Sequence, residues 1–187
     1  MRRFVSLRLL VIALAAVLAL PAAAQQLAAP KTTVLVTVVG NVAKTNRGAY
    51  DETRDVYFKH LNLPFTKAAA FDYGMLTALK QHTVKTDFPM GGKVRSFSGP
   101  LLADVLAAAG ATGTTATITA FDGYAAELPI ADIAKFGVIL ALAEDGKPFG
   151  VGDYGPTWVI FPRADNPALK GRNDDGWVWA IAAIAVK

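Results

Sequence analysis

The sequence predicts an α+β domain, and three features carry that expectation. Seven or eight short runs of β-branched and apolar residues are spread along the chain. A few short helical patterns interrupt them with no regular strand–helix alternation, which argues against a doubly wound parallel sheet. The chain is 53% apolar and contains no Cys, so a folded domain must be stable on its hydrophobic core alone.

The elements follow in order. Residues 33–40 (TVLVTVVG) are β-branched and apolar, the pattern of a strand. Residues 41–63 form a polar, charged and aromatic excursion without a clean period, with room for one short helix. FDYGMLTALK (71–80) predicts a helix with Asp72 at its N-cap and Met75, Leu76 and Leu79 on one face. A strand at 81–85 runs into TDFPMGGKVRSFSG, a Gly- and Pro-rich loop that either holds a ligand or simply turns the chain, with strand character resuming at 93–97. PLLADVLAAA (100–109) is the clearest helical pattern. Ser98 serves as its cap, Pro100 lies in the first turn, Gly110 stops it, and Leu101, Leu102, Val105 and Leu106 form its apolar stripe. Strands at 115–121 and 125–128 flank the turn Asp122-Gly123. A short helix at 129–136, a strand at 138–143, a turn at Asp145-Gly146 and a strand at 157–161 come next. A long polar loop at 163–176 precedes a closing segment, 177–187, read as a helical turn, a strand or both.

The first 24 residues read as a secretory signal peptide. Arg2, Arg3 and Arg8 form the basic region, residues 9–20 are an apolar run too short for a comfortable bilayer span, and PAAA places cleavage at Ala24/Gln25. Arg2-Arg3 lacks the apolar continuation of a twin-arginine signal, so export as an unfolded chain into the periplasm is expected. Residues 25–32 are then a tether and 33–187 the domain. Removing the signal takes away three Arg and no acid. The 16 basic and 15 acidic residues that remain give a charge near +1, which argues against a nucleic-acid partner.

Two histidines, His60 and His82, have no metal-ligand spacing, and there is no thiolate to join them. No G-x-S-x-G elbow is present, and Gly91-Gly92 lacks the Gly-Lys-Ser/Thr of a phosphate loop. The C-terminal third is richer in signals. Trp158 precedes the long loop, Arg163, Asp165 and Asn166 open it, Arg172, Asp174 and Asp175 return from it, and Trp177 and Trp179 follow. Trp rings beside carboxylates and guanidinium groups suit a flat ligand with a polar edge. A buried Trp core beneath a solvated charged loop accounts for the same composition.

The motifs FSGPLLADVLAAAGA, DGYAAELPIADI, VILALAEDGKP, GPTWVIFPRADNPAL and WVWAIAAIAV occur in an order that resembles the oxidoreductase molybdopterin-binding domain, the sulfite-oxidase fold. The resemblance runs from about residue 34 to 186, with 46–66 as extra sequence. It implies a mixed β-sandwich or barrel-like domain with short helices and a pterin pocket at one end. In catalytic members it implies a molybdenum-binding Cys after the strand matched by 83–86, and here that position falls at about Asp87. It also implies a phosphate-gripping Arg after a Gly-Pro motif, where Trp158 stands here. The small exported cysteine-free members are similar to PruR-type periplasmic pterin-binding proteins, which take up a reduced pterin and regulate the periplasmic domain of a membrane cyclic-di-GMP enzyme.

The resemblance therefore implies a pterin cofactor or ligand without molybdenum and, as partner, a membrane signalling protein. Two alternatives stand beside it: a molybdopterin-dependent oxidoreductase with a cysteine-free metal site, and a scaffold module without a small ligand. For a pterin, Trp158 and Trp179 are the expected stacking rings, with Tyr124 a further candidate. Asp87, Asp153 or Asp165 would accept from the amino edge, and Arg163 or Arg172 would meet the carbonyl or side chain.

Overall fold

In the computed structural model, which describes residues 26–187, the run VLVTVVG forms strand β1 (Val34–Gly40). The expected signal peptide and its cleavage point lie outside the described residues. After β1 come helix α1 (Val56–His60), strand β2 (Ala69–Asp72), helix α2 (Tyr73–Ala78) and the paired strands β3 (Gln81–Thr86) and β4 (Arg95–Pro100). Helix α3 (Leu102–Ala108), strands β5 (Thr115–Ala120) and β6 (Ala125–Pro129) and helix α4 (Ile130–Phe136) follow. The short strands β7 (Ile139–Ala141), β8 (Ala143–Glu144), β9 (Lys147–Pro148) and β10 (Trp158–Ile160) precede a 3-10 turn at Pro167–Leu169 and the last strand, β11 (Ile181–Val186). The architecture is α+β, with few short helices and three sheets.

A five-stranded sheet runs in the order β2-β1-β11-β5-β6. Its one parallel pairing joins the two ends of the described chain, Thr37–Gly40 beside Ala183–Val186. A four-stranded sheet, β3-β4-β8-β9, and a β7–β10 pair complete the framework. Val36 and Val38 of β1, Ile118 of β5 and Ile181 and Ile184 of β11 join Leu102, Val105 and Leu106 of α3 in one core, with Ile139, Leu140, Trp158 and Ile160. Each such side chain contributes about 1.5–3 kcal/mol on burial, so the fold needs no covalent staple.

The four central residues of β1 are all buried, because the excursion covers the face turned away from the main core. Val39 packs with Phe65 and Ala68, flanked by Tyr50 and Phe58. Arg47 holds that cover in place: its guanidinium lies 5.1 Å from the ring centres of both Phe58 and Phe65 and pairs with Asp55. The tether is fastened by one carboxylate. Asp72 caps α2 by accepting from Met75 N–H at 2.8 Å and also accepts from the N–H groups of Lys31 (2.6 Å) and Thr32 (2.9 Å). Those bonds, Met75 foremost, hold its carboxyl below the usual range.

Three expectations are corrected. Phe71, expected to open the helix at 71–80, lies with Asp72 in β2 because it pairs antiparallel with Val36 of β1, and the helix begins only at Tyr73. Ser98 and Pro100 belong to β4, and α3 begins only after Leu101, which offers no side-chain cap. The expected strand at 138–143 is divided between β7, paired with β10, and β8, paired with β4.

Strands β4 and β7 come so close at Gly99 that a Cβ there would stand 2.0 Å from the Leu140 carbonyl oxygen. Gly99→Ala should therefore cost about 3 kcal/mol or more, whereas Gly48→Ala, with open space around it, should stay within about 0.5 kcal/mol. Urea midpoints of the two variants check this, and equal midpoints would contradict the close approach.

Candidate functional site

Three chain segments meet around a cleft of about 340 Å³. The β3–β4 loop supplies Phe88, the β5–β6 turn supplies Asp122 and Tyr124 beside Ala120, and the segment before β11 supplies Asp174, Asp175, Trp177 and Trp179. The volume falls within the range of small-molecule sites. Trp179 is 41% exposed and Tyr124 51% exposed, so both keep ring surface open to the cleft. Tyr124 also ties two walls together, its hydroxyl donating to the Asp175 carbonyl at 2.8 Å.

The floor is held by a buried charge cluster. The Arg163 side chain is only 4% exposed. Its Nε donates to Asp87 at 2.5 Å, and its Nη1 donates to Asp174 and to the Arg172 carbonyl, both at 2.6 Å. Its guanidinium lies 4.4 Å from the Trp177 ring centre. Asp174 turns its other oxygen to Met90 N–H at 2.9 Å, and Asp87 accepts from Gly91 N–H at 2.8 Å. Burial opposes ionisation of Asp87, but the bonds from Arg163 and Gly91 outweigh it and hold the carboxyl below its ordinary value. Burial likewise opposes the charge on Arg163, and its two carboxylate partners reverse that effect and raise its pKa.

The remaining acids keep free valence. Asp122 accepts from Tyr124 N–H with Oδ1, and Asp175 accepts from Asn173 with Oδ2. Their second oxygens have no partner among the described residues. Trp177 is 2% exposed, and its buried Nε1–H has no acceptor among the described residues.

Of the sequence-predicted residues, Tyr124 and Trp179 line the cleft. Asp87 and Arg163 stand beneath it, bound to each other. Trp158 lies fully in the core: one face stacks on Tyr154 at 4.2 Å, Phe88 and Phe97 meet it edge-on, and its Nε1 donates to the Trp177 carbonyl at 3.0 Å. Asp153 sits in a different depression with Glu144 and Lys147 and bonds the N–H groups of Gly150 and Gly155. Asp165 accepts from Lys85 N–H at 2.6 Å, fixing the end of β3. Arg172 lies over Phe161 at 4.5 Å. Trp177 and Trp179 both border the cleft, although the chain there is irregular and one is buried while the other is exposed. Sequence reasoning passed over Phe88 and read Asp122 only as a turn residue; the adjacency of Phe88 to Asp87 and of Asp122 to Tyr124 was the available signal.

A groove of about 240 Å³ beside α1 is lined by Tyr57, Phe58 and Phe121. Its only carboxylate, Asp55, is tied to Arg47, so it offers a heterocycle no free carboxylate.

The donor set does not fit a molybdenum-bearing cofactor. The chain has no Cys, and Asp87, at the position where the resemblance implies the thiolate, is engaged by Arg163. No three His, Asp or Glu side chains among the described residues are grouped to hold a metal. No Lys, Arg or His lines the cleft to grip a phosphate.

No family model and no curated protein matches the chain. Among solved structures, the fold is similar to the crystal structure of the sulfane dehydrogenase SoxCD from Paracoccus pantotrophus, with a TM-score of 0.57 and 14% sequence identity. The match covers 82% of this chain and 38% of that one, so the chain spans well under half the length of that protein. The likeness is one of fold, and it supports the oxidoreductase-like fold that the sequence resemblance implies.

Trp158→Ala should cost about 3–5 kcal/mol, the range for emptying a core aromatic site, while Trp179→Ala should stay within about 1 kcal/mol. Thermal unfolding distinguishes them. The pKa of Asp87 is lower folded than unfolded, so its contribution is complete above the unfolded value, about 3.9, and is lost as pH falls through the folded one. Asp87→Asn should therefore lower stability by about 2 kcal/mol near neutral pH and flatten the decline below about pH 4. Urea midpoints across that range would show an unchanged acid profile if the pair contributed nothing.

Proposed function

We propose that this chain is an exported pterin-binding protein without redox turnover. The observation that carries the reading is the cleft itself, in which exposed aromatic rings stand beside two carboxylates with uncommitted oxygens. A pterin presents an amino group and ring N–H donors along one edge, which match Asp122 and Asp175. Its flat face suits Trp179 and Tyr124. In this reading the three sheets make the mixed β-sandwich or barrel-like frame of the sulfite-oxidase fold, with the pterin at one end. The periplasmic location follows from the N-terminal signal pattern. A membrane signalling protein as partner follows from the sequence resemblance, with the pterin-dependent state of the cleft as the reported quantity.

The fold likeness favours a second reading, a molybdopterin-dependent oxidoreductase. Elemental analysis discriminates: stoichiometric molybdenum in protein purified from its native compartment would establish the second and remove the first. A scaffold role without a small ligand would leave the protein inert to every pterin.

Anaerobic titration with a tetrahydropterin, followed by tryptophan fluorescence, tests the proposal. The wild-type protein should bind with saturable quenching. Trp179→Ala should weaken binding about tenfold or more, the scale of losing one stacking ring, and Asp122→Asn with Asp175→Asn should weaken it about tenfold. Absence of binding to the wild-type protein would sink the reading.

A further inference from the structure

The charges around the cleft are strongly one-sided. Asp122, Asp174 and Asp175 line the cleft, and no base lines it; Arg163, whose side chain is 4% exposed, is engaged with Asp87, Asp174 and a carbonyl. The lining thus carries three carboxylates, and two of them, Asp122 and Asp175, have an oxygen without a partner among the described residues. The walls add to that potential. Trp179 and Tyr124 are 41% and 51% exposed, and the faces of aromatic rings attract cations.

We infer that the cleft takes its ligand as an organic cation and rejects phosphate-bearing ligands. This rests on the cleft assigned to pterin binding and narrows the ligand to unphosphorylated rings that carry or share positive charge, such as a protonated amidine or guanidine edge. A dianionic phosphate placed there would meet uncompensated carboxylates with no lysine, arginine or histidine in the lining. A delocalised cation meets carboxylates and ring faces together, the arrangement of an aromatic cage.

Three water-soluble probes of similar size separate charge from shape: phenyltrimethylammonium, benzyl alcohol and benzenesulfonate, each titrated calorimetrically into the exported protein at low salt. Phenyltrimethylammonium should bind at least tenfold more tightly than benzyl alcohol, and benzenesulfonate more weakly than either. The double variant Asp122→Asn, Asp175→Asn should lose most of that preference while keeping the wild-type Tm. Equal binding of cation and sulfonate, an unchanged preference in the double variant, or no binding of the cation at millimolar concentration overturns the inference. The pterin reading fails separately. If tetrahydropterin does not bind but the cation preference persists, that reading falls and this one stands. If a reduced pterin and its phosphate ester bind equally well, this inference falls and the pterin reading stands.

Discussion

The buried guanidinium of Arg163 is the constraint on which the rest of the site depends. A charge so nearly removed from water must be paired, and the fold provides two carboxylates from segments far apart in sequence. Asp87 comes from the β3–β4 loop and Asp174 from the segment leading to the last strand, so one side chain joins loops that are 87 positions apart in sequence. Asp174 then reaches on to Met90 N–H and Asp87 to Gly91 N–H, which gives the Gly-Pro loop its shape. Trp177 rests against the guanidinium and against Phe88, and both Trp177 and Asp174 join the charge cluster to the lining of the cleft. Without Arg163 the two loops would carry mutually repelling acids instead of a common anchor.

Topology determines which residues share the cleft. The parallel pairing of β1 with β11 brings the end of the chain into the middle of the five-stranded sheet, next to β5. The residues just before β11 must then lie beside the β5–β6 turn, where Tyr124 meets the Asp175 carbonyl. Phe121 N–H bonds the Ala180 carbonyl, and Ala180, at φ 49°, turns the chain from the cleft into the strand. The excursion lies against the other side of this turn, with Tyr57 edge-on to Phe121 at 5.0 Å. The same hairpin tip therefore forms one wall of the acidic cleft and one wall of the groove beside α1.

Much of the frame was legible because period and turn chemistry are local. β1 and β5 follow directly from β-branched runs, β6 from the Asp-Gly turn before it, and Asp72 capped a helix as its position implied. The site was legible in residue type and less so in orientation. Trp158 and Trp179 look alike in sequence, yet Trp158 belongs to a strand covered by Tyr154, Phe88 and Phe97, while Trp179 lies in irregular chain just outside one. Arg163 and Asp87 look like ligand-facing charges until their mutual distance is known, and that distance is a product of long-range folding. Asp153 and Asp165 spend their oxygens on backbone N–H groups of nearby loops, a use that composition does not distinguish from ligand binding.

The exchange at Asp87 has a consequence for where chemistry is available. The resemblance implies that catalytic members present a thiolate to a metal from this loop. Here the loop carries a carboxylate, and an arginine beneath it takes up that carboxylate's charge. A carboxylate engaged with a buried guanidinium gives rigidity in place of a vacant ligand position. The groups left uncommitted lie on the β5–β6 turn and the segment before β11: two carboxylate oxygens and two exposed rings. Those groups accept hydrogen bonds and stack, and none is a thiolate or imidazole nucleophile. The position that the resemblance ties to a metal thiolate therefore serves structure in this chain.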